Sequence, residues 1–134
     1  MYKVTKEISF CYGHRLLHYD GPCRHLHGHN AVVELDLVGE FLDGDSVLIK
    51  FEKVEAMVEN WINATLDHRM LLNKKDPLVA VLQKADEPVY TFDTNPTAEA
   101  IARAIFEQAK GQGLPVTEVR LWENKSSCAA YSKG

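Results

Sequence analysis

Cys23-Arg24-His25-Leu26-His27-Gly28-His29 runs directly into Asn30-Ala31-Val32-Val33-Glu34-Leu35-Asp36-Leu37. The second half alternates: Ala31, Val33, Leu35 and Leu37 face one way, Glu34 and Asp36 the other. That pattern predicts a half-buried, antiparallel-type strand over residues 30–39. Carried backwards, the same pleat puts His27 and His29 on one side, with Gly28 adding no bulk between them. Five of the six histidines, His14, His18, His25, His27 and His29, fall within residues 14–29, together with Cys23. Neutral imidazole is the commonest ligand of zinc-like metals, and three imidazoles with one open position make a catalytic site. His27 and His29 need a partner, and His14 is the nearest candidate. His18 and His25 compete, and alternation puts His25 on the face of His27 and His29. Cys23 reads three ways: a fourth ligand closing a structural site, a thiolate base or nucleophile beside the metal, or an inert small residue.

Upstream, Tyr2, Val4, Ile8 and Phe10 share one face of a first strand over residues 2–10, with Lys6 interrupting the alternation. Residues 11–14 are expected to leave regular structure, and His18-Tyr19-Asp20-Gly21-Pro22 is rich in turn formers. Downstream, Asp43-Gly44 signals a turn, and residues 47–51 read as the returning strand of a hairpin. The period then changes. Phe51, Val54, Val58, Trp61, Ile62 and Thr65 recur at three- and four-residue steps, which predicts an amphipathic helix ending near Leu66. The stretch from Leu72 to Thr94, with Pro77 and Pro88, reads mostly as connection. Asn95 as N-cap and Pro96 at the first helical position open a second helix. Its stripe is Ala98, Ile101, Ala102, Ile105 and Ala109, and Gly111 and Gly113 end it. Residues 116–122 form a strand with Val119, Leu121 and Glu123 on one face, and 128–131 pair as a short last strand. Strands and helices are segregated, so the class is α+β, in one domain spanning residues 1–134.

Bulk composition narrows function by exclusion. The chain is 46% hydrophobic and 25% charged, ordinary for a globular domain. No apolar run approaches the roughly 20 residues of a membrane span. No signal peptide is visible, so a cytoplasmic location is expected. Cys11, Cys23 and Cys128 cannot all pair and suit no disulfide framework; Cys11 and Cys128 read as packing residues. A net charge of −4 without a basic cluster argues against nucleic acid as a partner.

Three further places could carry chemistry. Asp67-His68 follows a helix, where the carboxylate could orient or charge the imidazole. Glu123 extends an inward-facing register, where a carboxylate needs a partner and could grip a donor-rich ligand. Thr97 and Glu99 open the second helix, where Glu99 complements the helix dipole.

Taken in order, Gly13-His14-Arg15-Leu16, Cys23-x-x-x-His27-Gly28-His29, Leu66-Asp67-His68 with Leu72-Asn73, Asn95-Pro96-Thr97-Ala98-Glu99, and Trp122-Glu123 with Tyr131 resemble the 6-pyruvoyltetrahydropterin / 6-carboxytetrahydropterin synthase family. The resemblance implies a tunnel fold: an antiparallel four-stranded sheet with two helices on one face. Sheet edges would join subunits into trimeric barrels stacked as a dimer of trimers, with active sites between subunits. It implies His14, His27 and His29 as ligands of Zn2+, with Cys23 as the catalytic thiol. Asp67 and His68 would be its relay partners across an interface, and Glu123 would anchor the pterin, with Thr97 and Glu99 in the same pocket. The implied substrate is 7,8-dihydroneopterin triphosphate, a small-molecule pterin triphosphate. The implied product, by the bacterial queuosine branch, is 6-carboxytetrahydropterin, with triphosphate and acetaldehyde lost; the alternatives are the pyruvoyl-forming synthase, a side-chain-cleaving aldolase variant and a non-catalytic pterin-binding paralogue. Departures from the family pattern are Tyr12-Gly13 where it has Ala-Ala, Lys50 where it has an acid, His25 inside the metal motif, and a longer segment between Asn73 and Asn95.

Overall fold

The computed structural model describes residues 1–133. Its frame is a pair of thirteen-residue strands, β1 (Tyr2–His14) and β2 (His27–Gly39). They pair antiparallel without a register break from Tyr2↔Gly39 to His14↔His27. Residues 11–14 therefore stay in the strand, against the expectation that they leave it. Apolar alternation continues through them, because Ile8, Phe10, Tyr12 and His14 are all buried on one face. Lys6, the interruption in that pattern, sits at the margin of this face and pairs with Glu55 at 3.0 Å. Its stem can cover apolar surface while its charge meets the helix.

The other elements follow in chain order. A helical run, α1, is built of Phe51–Val54, a π-helical Glu55–Glu59 and Asn60–Thr65. Strand β3 (Arg69–Asn73), helix α2 (Leu78–Lys84) and strand β4 (Val89–Phe92) follow. Helix α3 (Ala98–Gly111) and strands β5 (Val116–Asn124) and β6 (Ser127–Ser132) close the chain. Among the described residues the sheet has six strands in the order β4-β3-β1-β2-β5-β6. Both α1 and α3 cover one face: Val54, Val58, Ile62, Ile101, Ala102 and Ile105 are buried with Val33, Leu35 and Leu37 of β2.

The α+β class stands, but the four-stranded antiparallel, two-helix description does not. The segment read as connection holds β3, α2 and β4, and β1–β3 and β3–β4 pair parallel. Parallel strands need a crossover, which α1 supplies before β3 and α2 before β4. The extra length between Asn73 and Asn95 is thus one more crossover and strand. Residues 47–50 do not return as a strand. Asp43 instead ties the turn down, its Oδ1 accepting the N–H groups of Asp45 and Val47 at 2.8 and 3.1 Å. Lys50 is the N-cap of α1 and makes no side-chain capping bond.

The cap of α3 also shifts by two residues. Thr97, in extended backbone, accepts the Ala100 N–H on its hydroxyl at 3.1 Å. Asn95 instead grips the loop after β1: Oδ1 accepts the Leu17 N–H at 2.9 Å and Nδ2 donates to Leu17 O at 3.0 Å. A second tie on that loop is Arg15, whose Nε donates to buried Asp76 Oδ2 at 2.7 Å.

The face of the sheet away from α1 and α3 is held by charge. Asp36 is 4% exposed. Arg120 of β5 meets it with two parallel bonds, 2.6 and 2.8 Å, and the Thr5 hydroxyl of β1 donates a third at 2.7 Å. Hydrogen bonding from Arg120 pulls the Asp36 carboxyl down to about 2. Its folded value lies below its unfolded value near 3.9. The ionised form therefore stabilises the fold above about pH 4, and that contribution is lost as pH falls toward 2. Asp36→Asn is expected to cost about 2 kcal/mol at neutral pH by leaving Arg120 without its paired acceptor. Urea unfolding at several pH values should show the deficit shrinking toward pH 2, and a constant deficit would contradict the ionic account.

Candidate metal centre and active site

The β1–β2 register assembles the site. His14 lies opposite His27, and Tyr12 opposite His29. Cross-strand partners share a face, so all four side chains project toward the side of α3. The two strands approach closely at Gly13↔Gly28. A Cβ on Gly28 would stand 3.1 Å from Tyr12 O, and one on Gly13 would meet the Met70 side chain at 2.8 Å. Glycine between the two histidines therefore permits the close pairing as well as adding no bulk.

One potential ligand atom from each of His14, His27 and His29 lies within 4.8 Å of the other two. His14 Nδ1 donates to Pro96 O at 2.7 Å, and His27 Nδ1 donates to His25 O at 2.7 Å. A carbonyl can only accept, so these bonds fix the tautomer and leave Nε2 of both rings as the donor atom for a cation. His14 Nε2 lies 3.2 Å from His29 Nε2. Burial holds His14 below the ordinary imidazole value, which keeps its ring in the neutral state that ligation requires. The donor set, three imidazoles with two orienting carbonyls, fits a zinc-like ion.

His25 thus enters the site through its backbone. Its residue precedes β2 and its side chain is exposed, so strand alternation does not carry it onto the face of His27 and His29. His18 takes positive φ, 59°, in the following loop and joins neither cluster of potential ligand atoms.

Glu123 is brought to the same place from β5. Its Oε2 lies 3.5 Å from His14 Nε2 and 3.3 Å from His29 Nε2. The Tyr12 hydroxyl donates to that same Oε2 at 3.0 Å. Tyr12 was not singled out for a role on sequence grounds; the available signal was a large polar aromatic two residues before His14, where the family pattern has alanine. Burial and then Glu123 push its phenol well above the usual range, so it remains a neutral donor.

Asp67 and His68 stand elsewhere. In β1 Cys11 alternates with Tyr12, so it points to the opposite face from the histidines. Cys11, Asp67 and His68 form a second cluster there, their potential ligand atoms within 4.8 Å of one another. Asp67 Oδ1 accepts the Cys11 N–H at 3.0 Å, Cys11 O accepts the His68 N–H at 2.7 Å, and His68 Nδ1 pairs with Asp67 Oδ2 at 2.8 Å. Cys11 is therefore an anchor of this pair through its main chain, beyond the packing role expected of it. His68 is held at φ 58°, a strained conformation for a non-glycine residue. Its side chain is 78% exposed. Cys23 sits on the short 3-10 turn Pro22–Arg24 and belongs to neither cluster. At the start of α3 the Thr97 hydroxyl is engaged as the cap, while Glu99 is exposed in the first turn.

Residues 3–134 match the family model described as 6-pyruvoyl tetrahydropterin synthase. The chain belongs to this family. It is 29% identical to 6-carboxy-5,6,7,8-tetrahydropterin synthase of Haemophilus influenzae, covering 99% of this chain and 100% of that protein. It is 35% identical to a probable 6-carboxy-5,6,7,8-tetrahydropterin synthase of Halobacterium salinarum, over 84% of this chain and 71% of that one. Among solved structures, the Caenorhabditis elegans 6-pyruvoyl tetrahydropterin synthase superposes with a TM-score of 0.75 at 23% identity, covering 99% and 96% of the two chains. An uncharacterized Wolinella succinogenes protein superposes at 0.81 and 22% identity, covering 99% and 98%. The two solved structures share the fold just described.

The division of labour between His25 and His27 is testable by metal analysis. His27→Ala should lose bound metal, whereas His25→Ala, which keeps the carbonyl, should retain nearly all of it. Equal loss in both variants would mean that the His25 side chain ligates.

Proposed function

We propose that this chain is a zinc-dependent 6-carboxy-5,6,7,8-tetrahydropterin synthase. It would convert 7,8-dihydroneopterin triphosphate with loss of triphosphate and acetaldehyde, as a lyase of queuosine biosynthesis. The observation that carries the reading is the convergence of His14, His27 and His29, the first two with their tautomers fixed, beside one carboxylate in a chain of this family. The names of the curated relatives support the carboxy-forming branch.

His14, His27 and His29 would hold the metal through nitrogen. When bound, zinc supplies Lewis acidity toward the substrate's side-chain hydroxyls and makes neighbouring protons easier to remove. Cys23 and His68 would move those protons. Asp67 keeps the His68 ring oriented through Nδ1, which leaves Nε2 pointing outward for exchange. Glu123 contacts the pterin amino and N–H groups from beside the metal, with Glu99 and Thr97 at the mouth of α3.

The exposure of His68 and its fastening to Cys11 on the face away from His14 support an active site completed by a neighbouring subunit. Cys23 of one protomer would meet Asp67 and His68 of another in a dimer of trimers. Strands β4 and β6 leave two sheet edges available for such joining, and closure into a barrel removes the hazard of exposed edges. Among the described residues no helix is long and apolar enough to cross a membrane; the proposed setting is the cytoplasm.

Incubation with 7,8-dihydroneopterin triphosphate should yield 6-carboxytetrahydropterin by mass, with acetaldehyde in equal amount. Release of triphosphate without acetaldehyde would instead point to the pyruvoyl-forming reaction. Cys23→Ala should keep zinc and lose turnover; loss of zinc would make Cys23 a ligand. Co-expression of Cys23→Ala with His68→Ala chains should restore part of the activity that each lacks alone. Failure of that complementation in mixed oligomers would sink the shared site.

A further inference from the structure

Tyr12 is buried to 3% exposure beside the imidazoles of His14 and His29 and the carboxylate of Glu123. Its ring meets His14 edge-on at 5.1 Å, tilts against His29 at 5.7 Å and stacks on Phe10 at 5.6 Å. Those contacts leave the hydroxyl a fixed target, Glu123 Oε2 at 3.0 Å. The same oxygen completes a triangle with the two imidazole nitrogens. Its edges are 3.2 Å between His14 Nε2 and His29 Nε2, and 3.5 and 3.3 Å from each to the carboxylate. Bonds of about 2.1 Å at tetrahedral angles place ligand atoms about 3.4 Å apart. The triangle therefore has the dimensions of one face of a tetrahedral metal site, with His27 as the remaining donor.

We propose that Tyr12 is a positioning residue that fastens Glu123 as a fourth donor, so that the resting centre is a three-histidine, one-carboxylate set. The inference rests on the metal-dependent reading above and adds to it. A carboxylate oxygen has two lone pairs: one accepts the phenol hydrogen and the other faces the cation. Substrate hydroxyls would then have to displace Oε2, and Glu123 would be released next to the incoming pterin while Tyr12 continues to limit how far it moves.

Zinc affinity, measured by competition with a chromophoric chelator, and the visible spectrum of the cobalt(II)-substituted protein test the proposal without any turnover. Tyr12→Phe retains the ring and its stacking, and should weaken zinc binding about 10- to 100-fold, the usual effect of removing an outer partner of a ligand. Glu123→Gln, at a partly exposed side chain, should weaken it at least as much and alter the cobalt band intensity. Melting of the metal-free variants reports whether the fold is kept; if Tyr12→Phe does not fold, Glu123→Gln still decides the ligand set. Wild-type affinity and an unchanged cobalt spectrum in Glu123→Gln, with metal lost in His27→Ala, would overturn the inference and leave the three-histidine reading standing. If wild-type protein takes up no zinc, the metal reading itself falls, and the inference with it.

Discussion

The pairing of β1 with β2 is the constraint on which the molecule depends. Thirteen consecutive cross-strand partners, Tyr2↔Gly39 through His14↔His27, set one register for core and site together. A slip of one residue would turn Ile8, Phe10, Val33 and Leu35 to the wrong face. It would also carry His27 and His29 away from His14. Burial of the apolar half thus keeps the polar half in place, and the histidine cluster is the end of the hydrophobic core. Gly13 and Gly28 are the only place along this ladder where glycine faces glycine, and it is where the ligand-bearing strands must come closest.

The two faces of the sheet are stabilised by different physics. The face toward α1 and α3 is an apolar core that ends in imidazoles. The other face carries Asp36, Arg120, Glu34 and Thr5 in one hydrogen-bonded group. Charge on that face is tolerable because its members satisfy one another, with no buried side-chain nitrogen or oxygen left without a partner among the described residues. Cys11, Asp67 and His68 extend the polar face toward β3. The strain in His68 is held by two hydrogen bonds into β1, so the sheet itself fixes where that imidazole stands.

What could be read from the sequence was whatever rests on periodicity or on ligand chemistry. The alternation of β2, the helical steps of α1 and the stripe of α3 each report burial of a face directly, and each is found. The grouping of His14, His27 and His29 was legible in part: spacing and residue type pointed to it, but the same alternation also offered His25. The segment from Leu72 to Thr94 was not, because short parallel strands beside proline carry no alternation long enough to detect. Residues 11–14 were misread for a related reason: Tyr12 and His14 are polar by type yet buried by position, and only the pairing with β2 reveals it. The role of His25 was invisible in principle, since a backbone carbonyl leaves no trace in the identity of its side chain.

Asn95-Pro96-Thr97 shows how tightly the site is woven into the fold. Asn95 grips Leu17 on the loop that leaves β1, Pro96 lends its carbonyl to His14, and Thr97 caps α3. Proline at the middle position suits this arrangement. It has no N–H to satisfy and its φ is fixed, which narrows the conformations open to the link between the Asn95 tie and the Thr97 cap. The helix start, the loop after β1 and the first ligand are consequently one mechanical unit. Tyr12 joins it from the strand side, through the edge of its ring on His14. Displacing any one of these residues moves His14, and His14, at 3% exposure, has no room in which to adjust alone. The rigidity of the centre is thus a property of the core packing around it, and His68, with its side chain 78% exposed, is the contrasting part.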